Sequence, residues 1–136
     1  MSQVSTLEEA TILVTDARFP YNPHRAERWK ALGAQVAVAR TWGDCYGYVQ
    51  VATGRAELMV DDRLSPWDAA SLIPIIREAG GVYTDWRGGH EVDGHVADRE
   101  GAAHIAAGLL VVGELLGGDP LVSADELGLG GRRVVP

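Results

Sequence analysis

The sequence predicts an α/β fold with helices layered on a sheet, and three features carry that prediction. Short apolar runs of strand length alternate with longer amphipathic segments, the connections between them are a few residues long, and glycines follow most of the helical stretches. Ile12–Asp16 is an apolar run suited to a buried strand. His24–Leu32 reads as a helix with Ala26, Trp29 and Leu32 at spacings of three, and Gly33 as its stop. Gln35–Ala39 is a second strand, Asp44–Thr53 a helix between Gly43 and Gly54, and Ala56–Val60 a third strand.

Pro66–Ala79 gives the clearest helical pattern, followed by Gly80-Gly81 and a strand over Val82–Trp86. This helix is apolar on more than one side, through Ala69, Ala70, Leu72, Ile73, Ile75, Ile76 and Ala79, so it is expected to lie between layers. Pro74 inside it removes a backbone donor, at a cost of roughly 3 kcal/mol that packing must offset unless the helix kinks. Arg87–Gly101 reads as a loop and His104–Leu116 as a last helix ended by Gly117-Gly118. One domain over residues 1–118 is expected, with 119–136 as a mobile tail. No repeat of solenoid length is present.

With 136 residues, the chain can bury one real core but not two. Its apolar share of 46% and charged share of 23% are ordinary for a globular domain. No apolar run is long enough to span a membrane, and Met1–Ala10 carries no export signal, which points to a soluble, cytoplasmic protein. Cys45 is the only cysteine, so no internal disulfide can form. A formal charge of −7 disfavours nucleic acid, and a phosphate ligand would need a metal or helix N-termini to offset repulsion.

The most informative segment for chemistry is Ser65-Pro66-Trp67-Asp68-Ala69-Ala70. Ser65 suits an N-cap, Pro66 the first helical position, and Asp68 the third, where it faces free N–H groups and the positive end of the dipole. Taken alone, the spacing is that of a relative of the capping box, and metal ligation is the lesser reading because magnesium needs further oxygen ligands. In Trp42-Gly43-Asp44-Cys45-Tyr46-Gly47-Tyr48, Gly43 would let backbone approach a ligand, while Asp44 reads first as an N-cap and second as a ligand contact. Asp61 and Asp62 end a strand, where acidic residues are usually solvated turn formers; the carboxyl end of a parallel strand is also where α/β sheets bind ligands.

Two other features carry less. His90-Glu91-Val92-Asp93-Gly94-His95 has one residue too many for the zinc motif H-E-x-x-H, and its glycine argues for a loop. Cys45 has no histidine partner nearby in sequence, so an incidental thiol is the simpler reading than a nucleophile.

Together, Trp42-Gly43-Asp44-Cys45-Tyr46-Gly47, Ala52-Thr53-Gly54-Arg55-Ala56-Glu57, Pro66-Trp67-Asp68-Ala69-Ala70, Glu78-Ala79-Gly80-Gly81 and Thr84-Asp85-Trp86 resemble the inositol monophosphatase family in order and spacing, in the wording of its histidinol-phosphate-phosphatase-like members. The resemblance runs from Arg40 to Trp86, extends back to Glu8 and weakens after Gly88. It implies the C-terminal half of a helix–sheet–helix αβαβα sandwich, and hydrolysis of small phosphate monoesters with magnesium ions and an activated water. The resemblance makes Asp68 a metal ligand and Asp61 a contact to the substrate's alcohol part. It sets Gly43, Asp44 and Cys45 beside that same group.

The family's other metal carboxylates, in an upstream glutamate motif and a D-P-x-D-G-T-like motif, have no counterpart here; the one Asp-Gly pair, Asp93-Gly94, lies downstream. The threonine-asparagine segment expected before the last helix is replaced near Ala97-Asp98-Arg99. The expectation is therefore a substrate-side half that binds magnesium poorly alone and works with an N-terminal half or as a homo-oligomer. Two carboxylates, Asp44 and Asp61, favour a cationic alcohol, so histidinol phosphate ranks ahead of inositol phosphate. A non-catalytic binding module and an inactive remnant are the competing readings.

Overall fold

The apolar run after Ala10 forms strand β1 (Thr11–Val14), from which the rest of the sheet is built outward. The computed structural model describes residues 2–85 and 103–106 (for Asp44, Asp85 and 103–106, the backbone only). Helix α1 (Pro23–Gly33) follows, then β2 (Val38–Thr41), α2 (Asp44–Ala52), β3 (Leu58–Val60), α3 (Pro66–Glu78), β4 (Val82–Asp85) and β5 (Ala103–Ala106). The strands lie in the order β2-β1-β3-β5-β4. β1 is parallel to both β2 and β3, whereas β5 runs antiparallel to β3 and β4.

Alternation along the strands creates the layers. Leu13 and Met59 point to one face, where they meet Tyr48 and Val51 of α2 and Leu72, Ile73 and Ile76 of α3. Ile12, Val14, Leu58 and Val60 point to the other, where they meet Phe19 and Trp29 and Leu32 of α1. Helices on both faces of a mixed sheet are the predicted layered α/β arrangement. Asn22 caps α1 by accepting the His24 N–H (3.2 Å), with Pro23 at the first position. Gly54 (φ 75°) and Gly80 (φ 83°) take the left-handed conformation that ends α2 and α3, as their positions predict.

The structure corrects several boundaries. The second strand lies at Val38–Thr41 rather than Gln35–Ala39, because Ala34 and Gln35 are spent closing α1 on the Lys30 and Leu32 carbonyls. As an edge strand with exposed side chains, it accepts Arg40 and Thr41. The helix expected from His104 is contradicted at its start: Ala103–Ala106 is a strand seated between β3 and β4. Four residues, Ala-His-Ile-Ala, do not declare a period, and two open strand edges supply the hydrogen bonds that decide it. The remainder of that expected helix, the Arg87–Gly101 loop with its histidines, the Ala97-Asp98-Arg99 segment and the 119–136 tail lie outside the described residues.

Helix α3 also departs from expectation. Ala69, Leu72, Ile73 and Ile76 form a single buried stripe, while Ala70, Pro74 and Ile75 are exposed among the described residues. Pro74 thus falls on the solvent side, where water can serve the Ala70 carbonyl that it leaves unbonded.

Candidate active site

The three parallel strands end side by side, and the residues just beyond their carboxyl ends line one cleft of about 410 Å³. Thr15 follows β1, Cys45 stands in the first turn of α2 after β2, and Asp61 follows β3; Tyr48, Ser65 and Asp68 complete the walls. This is the position at which parallel α/β sheets bind ligands.

Alternation continues past the end of β3 and sends the two aspartates to opposite faces. Asp61, in step with Met59, turns toward α2, where the Tyr48 hydroxyl donates to its Oδ2. Asp62, in step with Val60, turns toward α1: Arg25 Nη1 donates to its Oδ1 (2.8 Å) and its carbonyl (2.7 Å), and the Tyr21 N–H donates to Oδ2 (2.6 Å). Both aspartates are buried, at 5% and 7% exposure, so the expectation of solvated turn formers is overturned: each has donors waiting in a helix layer.

Tyr48 reaches Asp61 because α2 approaches β3 closely at Gly47. A Cβ there would stand 2.5 Å from the Met59 sulfur, and Met59 is fully buried with little room to yield. Burial first, then the neighbouring Asp61 charge and hydrogen bond, push the Tyr48 phenol far above its ordinary value. It therefore stays a hydrogen-bond donor throughout the physiological range.

Asp68 is the third residue of α3, as the sequence predicts, but it does not cap the helix. Ser65 adopts the extended cap conformation (φ −72°, ψ 147°), yet its hydroxyl makes no cap hydrogen bond. The Asp68 N–H is instead taken by the Ser65 carbonyl (3.0 Å). The Asp68 carboxylate is exposed, lines the cleft and has no hydrogen-bond partner among the described residues. With capping unused, the carboxylate is available to a ligand in the cleft.

Gly43 is the N-cap of α2 and Asp44 its first residue, which corrects the expectation that Asp44 caps. A Cβ at Gly43 would meet nothing within 4 Å, so packing in this chain does not demand glycine there. The side-chain role expected of Asp44 lies outside the described residues. Cys45 is a free, exposed thiol on the cleft wall.

Three polar lining residues, Thr15, Tyr48 and Arg63, have no role assigned from the sequence. Thr15 could have been found by the argument applied to Asp61, since it too follows a parallel strand. Its hydroxyl is buried and has no hydrogen-bond partner among the described residues, which suits a bound water or ligand hydroxyl. Arg63 packs its guanidinium 5.3 Å from the centre of the Tyr21 ring. Asp16, next to Thr15, turns away into an exposed ion pair with Arg18, whose hydrogen bonds lower the Asp16 carboxyl to about 2.

The described residues contain no group of three His, Cys, Asp or Glu side chains that could hold a metal ion. Asp68 fits as one oxygen ligand, and that falls short of a complete site. No helix among the described residues is long and apolar enough to cross a membrane.

Comparison with known proteins agrees with this architecture. The sequence model of the inositol monophosphatase family matches residues 2–115. A histidinol-phosphatase of Chlorobaculum parvum is 43% identical over 89 residues, covering 63% of this chain and 34% of the relative. A histidinol-phosphatase of Streptomyces coelicolor is 34% identical over 106 residues, 76% of this chain and 40% of the relative. Staphylococcal IMPase-II superposes with a TM-score of 0.67 at 25% identity, covering 93% of this chain and 49% of that one. The Thermotoga maritima IMPase, at 22% identity, shares the fold with a TM-score of 0.67 over 85% of this chain and 42% of its own. The chain spans 34–40% of the length of these two curated relatives. Carrying that family's sequence pattern on its sheet and helices, the chain belongs to the inositol monophosphatase family.

Proposed function

We propose that this chain forms the alcohol-binding side of a magnesium-dependent phosphate monoester hydrolase, acting with the remainder of the fold on the same or another polypeptide. The observation that carries this reading is the convergence of two carboxylates on one cleft: Asp61, buried and hydrogen-bonded, and Asp68, exposed and without a partner among the described residues. A metal ligand must be free to leave water for the ion, whereas a substrate contact gains from being fixed in advance. The two aspartates differ in that way.

Asp68 would supply one carboxylate oxygen to magnesium, alongside phosphate oxygens, waters and carboxylates from the rest of the fold. Such an ion, when bound, polarises phosphoryl oxygens and makes an attacking water more acidic. The chain's own residues act on the alcohol. Asp61 presents a fixed negative charge, and Gly43, Asp44 and Cys45 would flank the same group. The α2 and α3 N-termini at the cleft add positive ends that favour a phosphate.

Histidinol phosphate is the favoured substrate, with inositol phosphate next. A buried carboxylate at the cleft attracts an amine or imidazolium more strongly than a neutral hydroxyl. The names of the Chlorobaculum and Streptomyces relatives point the same way.

The test is phosphate release from histidinol phosphate with magnesium, first by this chain alone and then with the remaining half of a relative supplied. Background release alone and magnesium-dependent release from the mixture are expected. Robust turnover by the chain alone that disappears in Asp68→Ala would show that the metal site is assembled differently. Histidinol binding without release in the mixture would favour a binding module over an enzyme.

A further inference from the structure

The cleft holds Asp61 in a way that nothing in the reaction above requires, and the contact reaches back through the packing of α2. Tyr48 is 1% exposed, and its hydroxyl donates to Asp61 Oδ2 at the cleft wall. Charge-assisted hydrogen bonds of this kind are among the stronger ones and fix direction as well as position. The bond depends on two neighbours. Gly47 lets α2 close on Met59, and Met59 stands two residues before Asp61 on the same face of β3. On the opposite face, Arg25 grips both the carbonyl and the carboxylate of Asp62, which holds the residue after Asp61 against α1. Tyr48 thus holds the Asp61 side chain, and Arg25 anchors the residue that follows it.

We propose that Tyr48 is a positioning residue that sets the orientation of the Asp61 carboxylate toward the cleft and thereby determines the preference for a cationic alcohol. This inference rests on the proposed role of Asp61 as the alcohol contact, and it assigns to a core tyrosine a part in specificity. A tyrosine serving only as core filler would need its ring and no defined acceptor. Here the hydroxyl is committed to the one carboxylate in the cleft that is both buried and turned toward α2.

The experiment uses the full chain with L-histidinol as probe, so it does not depend on phosphate release. Chain labelled at the tyrosine Cζ carbon is titrated with histidinol and followed by NMR. Tyr48, identified by loss of its signal in Tyr48→Phe, is expected to shift as the cation reaches its partner carboxylate. Histidinol affinity is expected to fall about tenfold in Tyr48→Phe, the order expected for losing one hydrogen bond to a charged group. Glycerol, an uncharged alcohol, is expected to bind both forms equally weakly.

A Tyr48 signal that does not move while histidinol binds overturns the proposal, as does unchanged affinity in the folded Tyr48→Phe chain. Equal losses for histidinol and glycerol would reduce Tyr48 to a packing role and overturn it too. Absence of histidinol binding by the wild-type chain also sinks it. Histidinol binding weakened in Tyr48→Phe, with no phosphate release in the assembled system, would instead sink the proposed reaction and leave the Tyr48 assignment standing. If Tyr48→Phe does not fold, the Tyr48 signal is assigned by elimination from Tyr21→Phe, Tyr46→Phe and Tyr83→Phe, and the NMR shift in the unsubstituted chain still decides.

Discussion

Replacing Asp62 by Ala should destabilise the chain far more than its place at a strand end suggests. The carboxylate is 6% exposed, accepts from Arg25 Nη1 at 2.8 Å and from the Tyr21 N–H at 2.6 Å, and so joins α1 and the loop before it to β3. Removing one partner of a buried pair costs about 3–5 kcal/mol, because the remaining charge stays buried. The Arg25 bond to the Asp62 carbonyl, at 2.7 Å, survives the substitution, which places the expectation near the lower end, at about 3 kcal/mol. With a urea dependence of about 2 kcal/mol per molar, the midpoint should fall by roughly 1.5 M. Urea unfolding followed by circular dichroism measures this directly. Arg18→Ala, which breaks the exposed Asp16–Arg18 pair, serves as the control and should leave the midpoint nearly unchanged. Equal midpoints for Asp62→Ala and Arg18→Ala would refute the argument from burial.

Three further outcomes follow from the same geometry. Gly47→Ala should lower stability by about 1–3 kcal/mol in thermal or urea unfolding, because the new methyl meets the Met59 sulfur at 2.5 Å; a neutral result would mean that α2 and β3 part easily. Tyr48 keeps its proton in the folded chain well above the pH at which it ionises when unfolded. Its contribution is therefore complete below pH about 10, and stability should fall by up to about 1.4 kcal/mol per pH unit above that, a slope absent in Tyr48→Phe. Trp67 (75% exposed), Tyr46 (51%) and Ile75 (50%) lie on the α2 and α3 surfaces, so light scattering at high concentration should show association or a co-purified partner; a monodisperse monomer would contradict this.

Much of the layering was legible because the residues that set it are local. Asn22-Pro23, Gly54 and Gly80 mark helix ends by their own conformational limits, and the buried stripe of α3 repeats at helical spacing. The second strand was misplaced because closing α1 consumes Gln35, a hydrogen bond that no periodicity announces. Ala103–Ala106 was read as the start of a helix because its state depends on two strands distant in sequence. In the site, strand-end and helix-start positions singled out Asp61 and Asp68, but on those grounds alone they read first as a turn former and a cap, and their roles came from the family resemblance. Their opposite environments could not be read there, since the burial of Asp61 depends on Tyr48 and Gly47 in another helix, and the availability of Asp68 depends on its carboxylate leaving the N–H groups of its own helix unused. Asp62 was read as a solvated turn residue because its partner Arg25 lies 37 residues away.

The central claim is that Asp61 serves the alcohol and Asp68 the metal, and steady-state kinetics of the two alanine variants test it most directly. With the rest of the fold supplied, each variant is compared on histidinol phosphate and on an uncharged sugar phosphate. Asp61→Ala should raise KM for histidinol phosphate while leaving the sugar phosphate nearly unchanged, an effect that shrinks with added salt if the contact is chiefly one of charge. Asp68→Ala should depress kcat on both substrates, because a shared metal ligand is lost. Equal losses of turnover on both substrates in both variants would contradict the division of roles.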